Sequence, residues 1–378
     1  MSTPAEAIRD AEGRKATTIA ARAKRIAMYS RIPFAILVVL MLLTQIGPRP
    51  DPTTMTAPPD FTEALSEANT DSRPLYFVRG GAAGYAPEGS SNAIKIAGSG
   101  SVEVQTTEYE FEKPDGIWID LRVTKGSKSE ARLIAYSGEK VVSTSGEFQT
   151  PAGNTYNDGD KISTIEAEDA NDIPVNNEFV SPITSQDFEV AFFTAPTLDY
   201  LLLEEADINN SLLILSIQDT GSNGAKAAQV LADLLFTISE AQLDAGDETT
   251  VCDRILVHAV DQASMNAFRT ADGCPTATIM TSDEATAYST WVDRRLDKWW
   301  FSPQTRFIMP NMVEGASTGS GFYSDGMTNA IEAREQISIS AACSDISCLE
   351  AHEGKGVNIV IIDWEADLSA VIPVKEAE

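Results

Sequence analysis

Two histidines, four cysteines and 28 basic residues are all that this chain of 378 residues holds of three chemically important classes. Set against 56 acidic residues, the shortage of Lys and Arg leaves a formal net charge of −28. A field of that sign repels polyanions, which excludes nucleic-acid binding through a basic patch. No CxxC pair occurs and the chain has only two histidines, so zinc is the weaker reading of the four cysteines. The glycine-rich stretch at 317–321 (STGSG) lacks the lysine and spacing of a phosphate-binding loop and reads as a loop. The acidic runs at 166–172 and 244–249 lack EF-hand spacing and are expected to be solvated surface rather than calcium sites. No repeat of solenoid period is present. Long apolar runs are scarce too, with a single one at residues 32–46 (IPFAILVVLMLLTQI).

Apolar residues make up 43% of the chain and charged ones 22%, ample material for a large core. That composition excludes a disordered tail, a collagenous repeat and a small disulfide scaffold. The apolar run is flanked by Arg31 and Arg49, and residues 1–31 carry seven basic groups against three acidic ones. A span normally needs about 17–25 apolar residues, so this one relies on snorkelling at its ends. We read residues 1–31 as a cytoplasmic basic helical segment, with a solvated tail as the alternative. Residues 32–47 then form a single transmembrane anchor, placed amino-side-in by the basic flank. A cleaved secretory signal and a buried core helix are the other readings of the run. Residues 48–60 form a proline-rich linker, and 61–378 an exported domain. The expected location is the inner (plasma) membrane with the carboxyl-terminal domain periplasmic. All four cysteines, Cys252, Cys274, Cys343 and Cys348, fall in the exported part. An even number there suggests disulfides, and spacing favours Cys252 with Cys274 and Cys343 with Cys348 among three possible connectivities.

Within the exported part, short apolar runs alternate with helical patterns. Strands are expected at 75–79, 117–123, 131–136, 212–218, 254–260, 277–281, 306–311, 337–342 and 358–363. Amphipathic helices are expected at 225–243, 263–270 and 282–300. Such alternation predicts an α/β fold, a parallel (β/α)8 TIM-type barrel, with an acidic insertion at about 141–195. The cluster Trp299, Trp300 and Phe301 reads as helix-end packing or as a membrane-facing or partner-facing patch.

Seven stretches in order resemble the glycerophosphodiester phosphodiesterase family, within the superfamily of phosphatidylinositol phospholipase C-like barrels. FVRGGAAGYAPE (77–88) resembles the family's HRG and GYAPENT loop, and GIWIDLRVTK (116–125) its second strand, GADxxELDVxLTKDG. LIAYS (133–137) sits where the family has VVxHD, and PTLD (196–199) resembles PTLEE. LLILSIQ (212–218) resembles the strand ending EIK, DRILVHAVD (253–261) resembles DRVLVSSFD, and GVNIVIID (356–363) resembles GVDGIITD. Phosphatidylinositol phospholipase C itself is the next resemblance, carried by GIWIDLRV.

The resemblance implies two histidines for acid and base work and carboxylates for a divalent cation. At the matching positions this chain has Val78 and Tyr136 for the histidines, Trp118 and Ser216 for the metal glutamates, and Gln218 for the lysine. Asp120 and Arg79 alone remain, with Gly80 beside Arg79 as a remnant of phosphate binding. Valine transfers no proton, and tyrosine, with a pKa of about 10, is a poor base at neutral pH. One aspartate holds Mg2+ or Ca2+ feebly, because hard cations take several oxygen ligands. Arg79 is expected either to hold a phosphate or to pair with Asp120 or Asp363, and Asp120 to be a salt-bridge partner rather than a metal ligand. His258 is expected as a hydrogen-bonded core histidine, a ligand or base being the alternative, and His352 as a surface residue.

The expectation is a membrane-anchored, exported, non-catalytic relative of these enzymes. It would use no cofactor and serve as a binding or accessory module. Its partners would be the lipid bilayer and other membrane-protein subunits. The alternative is an active phosphodiesterase using Mg2+ or Ca2+ with relocated catalytic residues.

Overall fold

A computed structural model describes residues 58–104, 107–110, 113–142, 146–175, 193–205, 208, 210–271, 277–286, 307–309, 337–343, 349 and 357–363. The cytoplasmic segment, the anchor, the linker up to residue 57, Cys274, Cys348, His352, the 299–301 aromatics and the 317–321 loop lie outside these residues. Among the described residues no helix is long and apolar enough to cross a membrane.

The chain enters through helix α1 (Pro59–Thr70), so the last two residues assigned to the linker are already helical. Proline at the first helical position has the right φ and lacks only an N–H that would go unpaired there. Eight parallel strands then follow one another around a barrel, with spatial order equal to chain order. They are β1 (Leu75–Arg79), β2 (Gly116–Val123), β3 (Leu212–Ile217), β4 (Ile255–Ala259), β5 (Ala277–Thr278), β6 (Phe307–Ile308), β7 (Ile337–Cys343) and β8 (Ile359–Asp363). The ring closes where β8 pairs with β1, Arg79 standing opposite Asp363. Between β5 and β6 the seam is held by a single parallel bridge, Ile279 to Phe307.

Two-residue alternation sorts the side chains. Phe77, Trp118, Ile214, Leu256, Phe307 and Ile361 fill the interior in one cluster. Val78, Ile119, Leu215, Val257 and Ile362 face outward into a second cluster shared with the helices. The helices described are α2 (Ser91–Ser99), α3 (Leu198–Leu203), α4 (Gly221–Ala245) and α5 (Gln262–Thr270). Helix α4 turns Ala228, Leu231, Leu235 and Ile238 to the barrel, and Gly246 ends it in a left-handed conformation. A Cβ at Gly224 would stand 2.0 Å from Ser264 Oγ, so only glycine lets α4 approach α5 there.

Helix α1 closes the amino end of the barrel. Phe61, wholly buried, stacks on Phe77 at 5.8 Å and meets Phe307 edge-on at 6.2 Å. The interior is therefore packed protein rather than a pore.

Two expectations about elements are corrected. The strand expected at 131–136 is Leu133–Ala135, and it runs antiparallel to β2 beside the barrel. A tight turn at 126–130, with Ala131 N–H bonded to the Ser127 carbonyl, sends the chain straight back, so no crossover to a parallel position is possible. The insertion contains a hairpin (Glu147–Gln149 with Thr155–Asn157) and two 3-10 turns around a small core of its own. Within the acidic run at 166–172, Asp169 is not solvated. It is fully buried and accepts from the Tyr156 hydroxyl at 2.7 Å and Asn154 Nδ2 at 2.8 Å. Burial, with Asp169 beside it, pushes the Tyr156 phenol up to about 12. Residues 244–249 are exposed, as expected.

Candidate functional site

Strand alternation and register decide which side chains meet at the carboxyl end of the barrel. With Leu75 and Phe77 inside, Arg79 must also point in, and Val78 must point out. Val78 is indeed wholly buried in the layer between strands and helices, with Ala82 and Ile94. It does not line the mouth, so the histidine position assigned to it from the resemblance is not a mouth position here. Asp120 stands opposite Ser216, and Ser216 opposite His258, forming one row across β2, β3 and β4. Gln218 follows one inward step above Ser216.

A continuous hydrogen-bond chain joins this row. The Trp118 indole Nε1 donates to Asp120 Oδ1 at 2.8 Å. Gln218 Nε2 donates to the same oxygen at 2.6 Å and to Ser216 Oγ at 2.8 Å. Ser216 Oγ lies 2.7 Å from His258 Nδ1. The Trp118 ring stands 5.2 Å from the His258 ring, tilted by 47°.

Burial sets the charge states. It raises the Asp120 pKa above the usual carboxylate range, outweighing the indole hydrogen bond and the nearby Arg79. It lowers His258 to about 4, so the imidazole is neutral at physiological pH. His258 thus points into the barrel and is hydrogen-bonded, as the core-histidine reading expects, but its Nε2 is buried and has no partner among the described residues.

Arg79 pairs with Asp363, Nε to Oδ1 at 2.8 Å, with Glu88 farther off at 3.8 Å. Of the two carboxylates offered to it in the sequence it takes Asp363. Asp120 is instead held by N–H donors, which corrects its assignment as a salt-bridge partner. Gly80 and Gly81 turn the chain out of β1 with positive φ, and a Cβ on Gly81 would lie 2.4 Å from the Ala93 backbone.

Tyr136 packs with Ile134, Val141 and Tyr156 in the insertion core, and its hydroxyl accepts from the Val142 N–H at 3.1 Å. Burial raises its pKa further. Beside it lies a cavity of ≈10 Å3 lined by Gly80, Glu88, Gly89, Asp120, Tyr136 and Ser137. That is room for about one water molecule. The strand ends are pinned by a pair that sequence reasoning missed. Arg122 Nη1 donates to the Gln218 carbonyl at 2.7 Å, and Asp219 Oδ2 accepts from Val123 N–H at 2.7 Å.

Among the described residues, the side chains of this row do not fit a divalent cation. Among the described residues no three His, Cys, Asp or Glu side chains come together. Asp120 Oδ1 accepts two N–H groups, whose hydrogens stand where a cation would approach that oxygen. Of the four cysteines, Cys252 and Cys343 are described and neither is free. The expected pairings involve Cys274 and Cys348 and so lie outside the described residues.

No protein-family model matches the chain, and no curated protein matches it in sequence. Its fold does match solved structures. A structure described as a glycerophosphoryl diester phosphodiesterase from Silicibacter pomeroyi is 10% identical with a TM-score of 0.50, covering 78% of this chain and 90% of that one. A phosphodiesterase from Oleispira antarctica, solved with the product sn-glycerol-3-phosphate, is 13% identical with a TM-score of 0.48, covering 78% and 95%. A glycerophosphodiester phosphodiesterase from Agrobacterium tumefaciens is 12% identical with a TM-score of 0.46, covering 77% and 96%. The first of these, at a TM-score of 0.50, establishes a glycerophosphodiester phosphodiesterase-like fold, and at 10% identity the fold alone.

Proposed function

We propose that this chain is a membrane-anchored, exported and non-catalytic barrel of glycerophosphodiester phosphodiesterase-like fold, serving as a binding or accessory module of a membrane complex. The observation that carries the reading is the donor set on Asp120. The indole of Trp118 and the amide of Gln218 bring N–H groups to the one carboxylate of the row. Metal-assisted phosphodiester cleavage needs oxygen ligands there and a group able to exchange a proton. Tyr136 is a buried phenol with a raised pKa, Val78 faces away, and His258 is a buried neutral imidazole.

Anchoring rests on the apolar run at 32–46 and its basic flank. Export with disulfide pairing is supported by the position of the cysteines and by the absence of a free thiol among the described ones. The net charge disfavours nucleic acid, leaving the bilayer and other membrane-protein subunits as partners.

The experiment is an assay of the purified full chain on glycerophosphodiesters with Mg2+ or Ca2+. Release of glycerol phosphate no faster than a buffer blank is expected. Turnover well above that blank would overturn the reading.

A further inference from the structure

His258 sits in a chain of donors whose direction can be followed atom by atom. Asp120 Oδ1 accepts from Trp118, so the Gln218 group that reaches the same oxygen is its NH2. That NH2 also donates to Ser216 Oγ. The Ser216 hydroxyl has no other acceptor among the described residues, so its hydrogen is best used on His258 Nδ1, 2.7 Å away, which then accepts. A neutral imidazole that accepts at Nδ1 carries its proton on Nε2. Nε2 is therefore a donor, on a residue only 3% exposed, and it has no partner among the described residues.

Leaving such a donor unpaired costs more than immobilising one water, so an occupied site is the lower state. The chemistry of the occupant follows from its neighbours. An uncharged imidazole supplies no countercharge for an anion, and the row already contains the Asp120 carboxylate. A cation would meet N–H groups from Trp118, Gln218 and His258.

We propose that His258 Nε2–H is a binding site inside the barrel for a single neutral oxygen acceptor, occupied by one water molecule. The site stands on the barrel's own geometry, so the turnover assay above can fail or succeed without affecting it.

The scarcity of histidine makes the test direct. In the full chain labelled with 15N-histidine in detergent there are two imidazoles, and a His352→Asn variant assigns them. His258 is expected as the neutral tautomer protonated at Nε2, with a cross-peak from that proton to water. Its signals should stay unchanged on adding inorganic phosphate or Zn2+. A proton on Nδ1, a missing water cross-peak, or a shift with either ion would overturn the proposal. In Ser216→Ala, which removes the hydroxyl that fixes the tautomer, a mixture of the two tautomers is expected. An unchanged single tautomer in that variant would contradict the hydroxyl's role.

Discussion

Trp118 joins packed core and a polar contact in one side chain. Its ring is 5% exposed, sits among the interior residues of the barrel, and its indole N–H bonds Asp120. Trp118→Phe keeps most of the apolar volume and loses the hydrogen bond to a carboxylate, for an expected cost of about 1.5–3 kcal/mol. Trp118→Ala also opens a cavity, for about 3–5 kcal/mol. Urea denaturation of both variants checks this, and a Trp118→Phe protein as stable as the parent would mean that the hydrogen bond contributes nothing. His258 gives a pH signature. Its folded pKa is lowered from 6.5 to about 4, so its contribution is fully present above pH 6.5 and is lost as pH falls toward 4. The full swing is about 3 kcal/mol, from ~1.4 kcal/mol per pKa unit. Asp120 runs the other way. Its raised folded pKa gives stability that is present below the ordinary carboxylate value and lost as pH rises through the folded one. His258→Gln should therefore flatten the fall between pH 6.5 and 4 relative to the parent chain. Identical pH profiles of the two proteins would exclude a buried neutral imidazole.

At the scale of elements, helix α1 is more than a lead-in to β1. Phe61 plugs the amino end of the barrel against Phe77 and Phe307. Phe61→Ala should cost about 3–5 kcal/mol by chemical denaturation, because packed neighbours collapse only partly into the space. A loss below ~1 kcal/mol would mean the plug is not seated. The sequence pattern of runs such as LLILSI and ILVHA made β3 and β4 readable, since strands buried on both faces are continuously apolar. The same alternation turns Val78 outward. If Arg79 faces inward, its neighbour cannot, and a motif aligned by residue type carries no such rule. The row Asp120, Ser216 and His258 was equally hidden, because strand register is a property of pairing and not of any one strand. The antiparallel course of 133–135 escaped for a similar reason, since three apolar residues read alike in either direction.

For the whole molecule, net charge works against compaction. A net −28 concentrated on one chain repels itself and weakens the compact state. Raising NaCl from low to physiological strength should raise the melting temperature as the Debye length shortens to about 8 Å. A melting temperature that falls with salt would instead mean that stabilising ion pairs, such as Arg79 with Asp363 or Arg269 with Glu284, outweigh the repulsion. A surface of this charge attracts cations loosely through its summed field, an effect to be separated from any metal chemistry at the mouth.

Calorimetric titration of the full chain and of its Asp120→Asn variant with Ca2+ and Mg2+ makes that separation, because the substitution removes the one carboxylate of the row and little volume. The account predicts superimposable, weak and non-saturating heats for the two proteins. A saturable one-site isotherm in the parent chain that disappears in Asp120→Asn would contradict it.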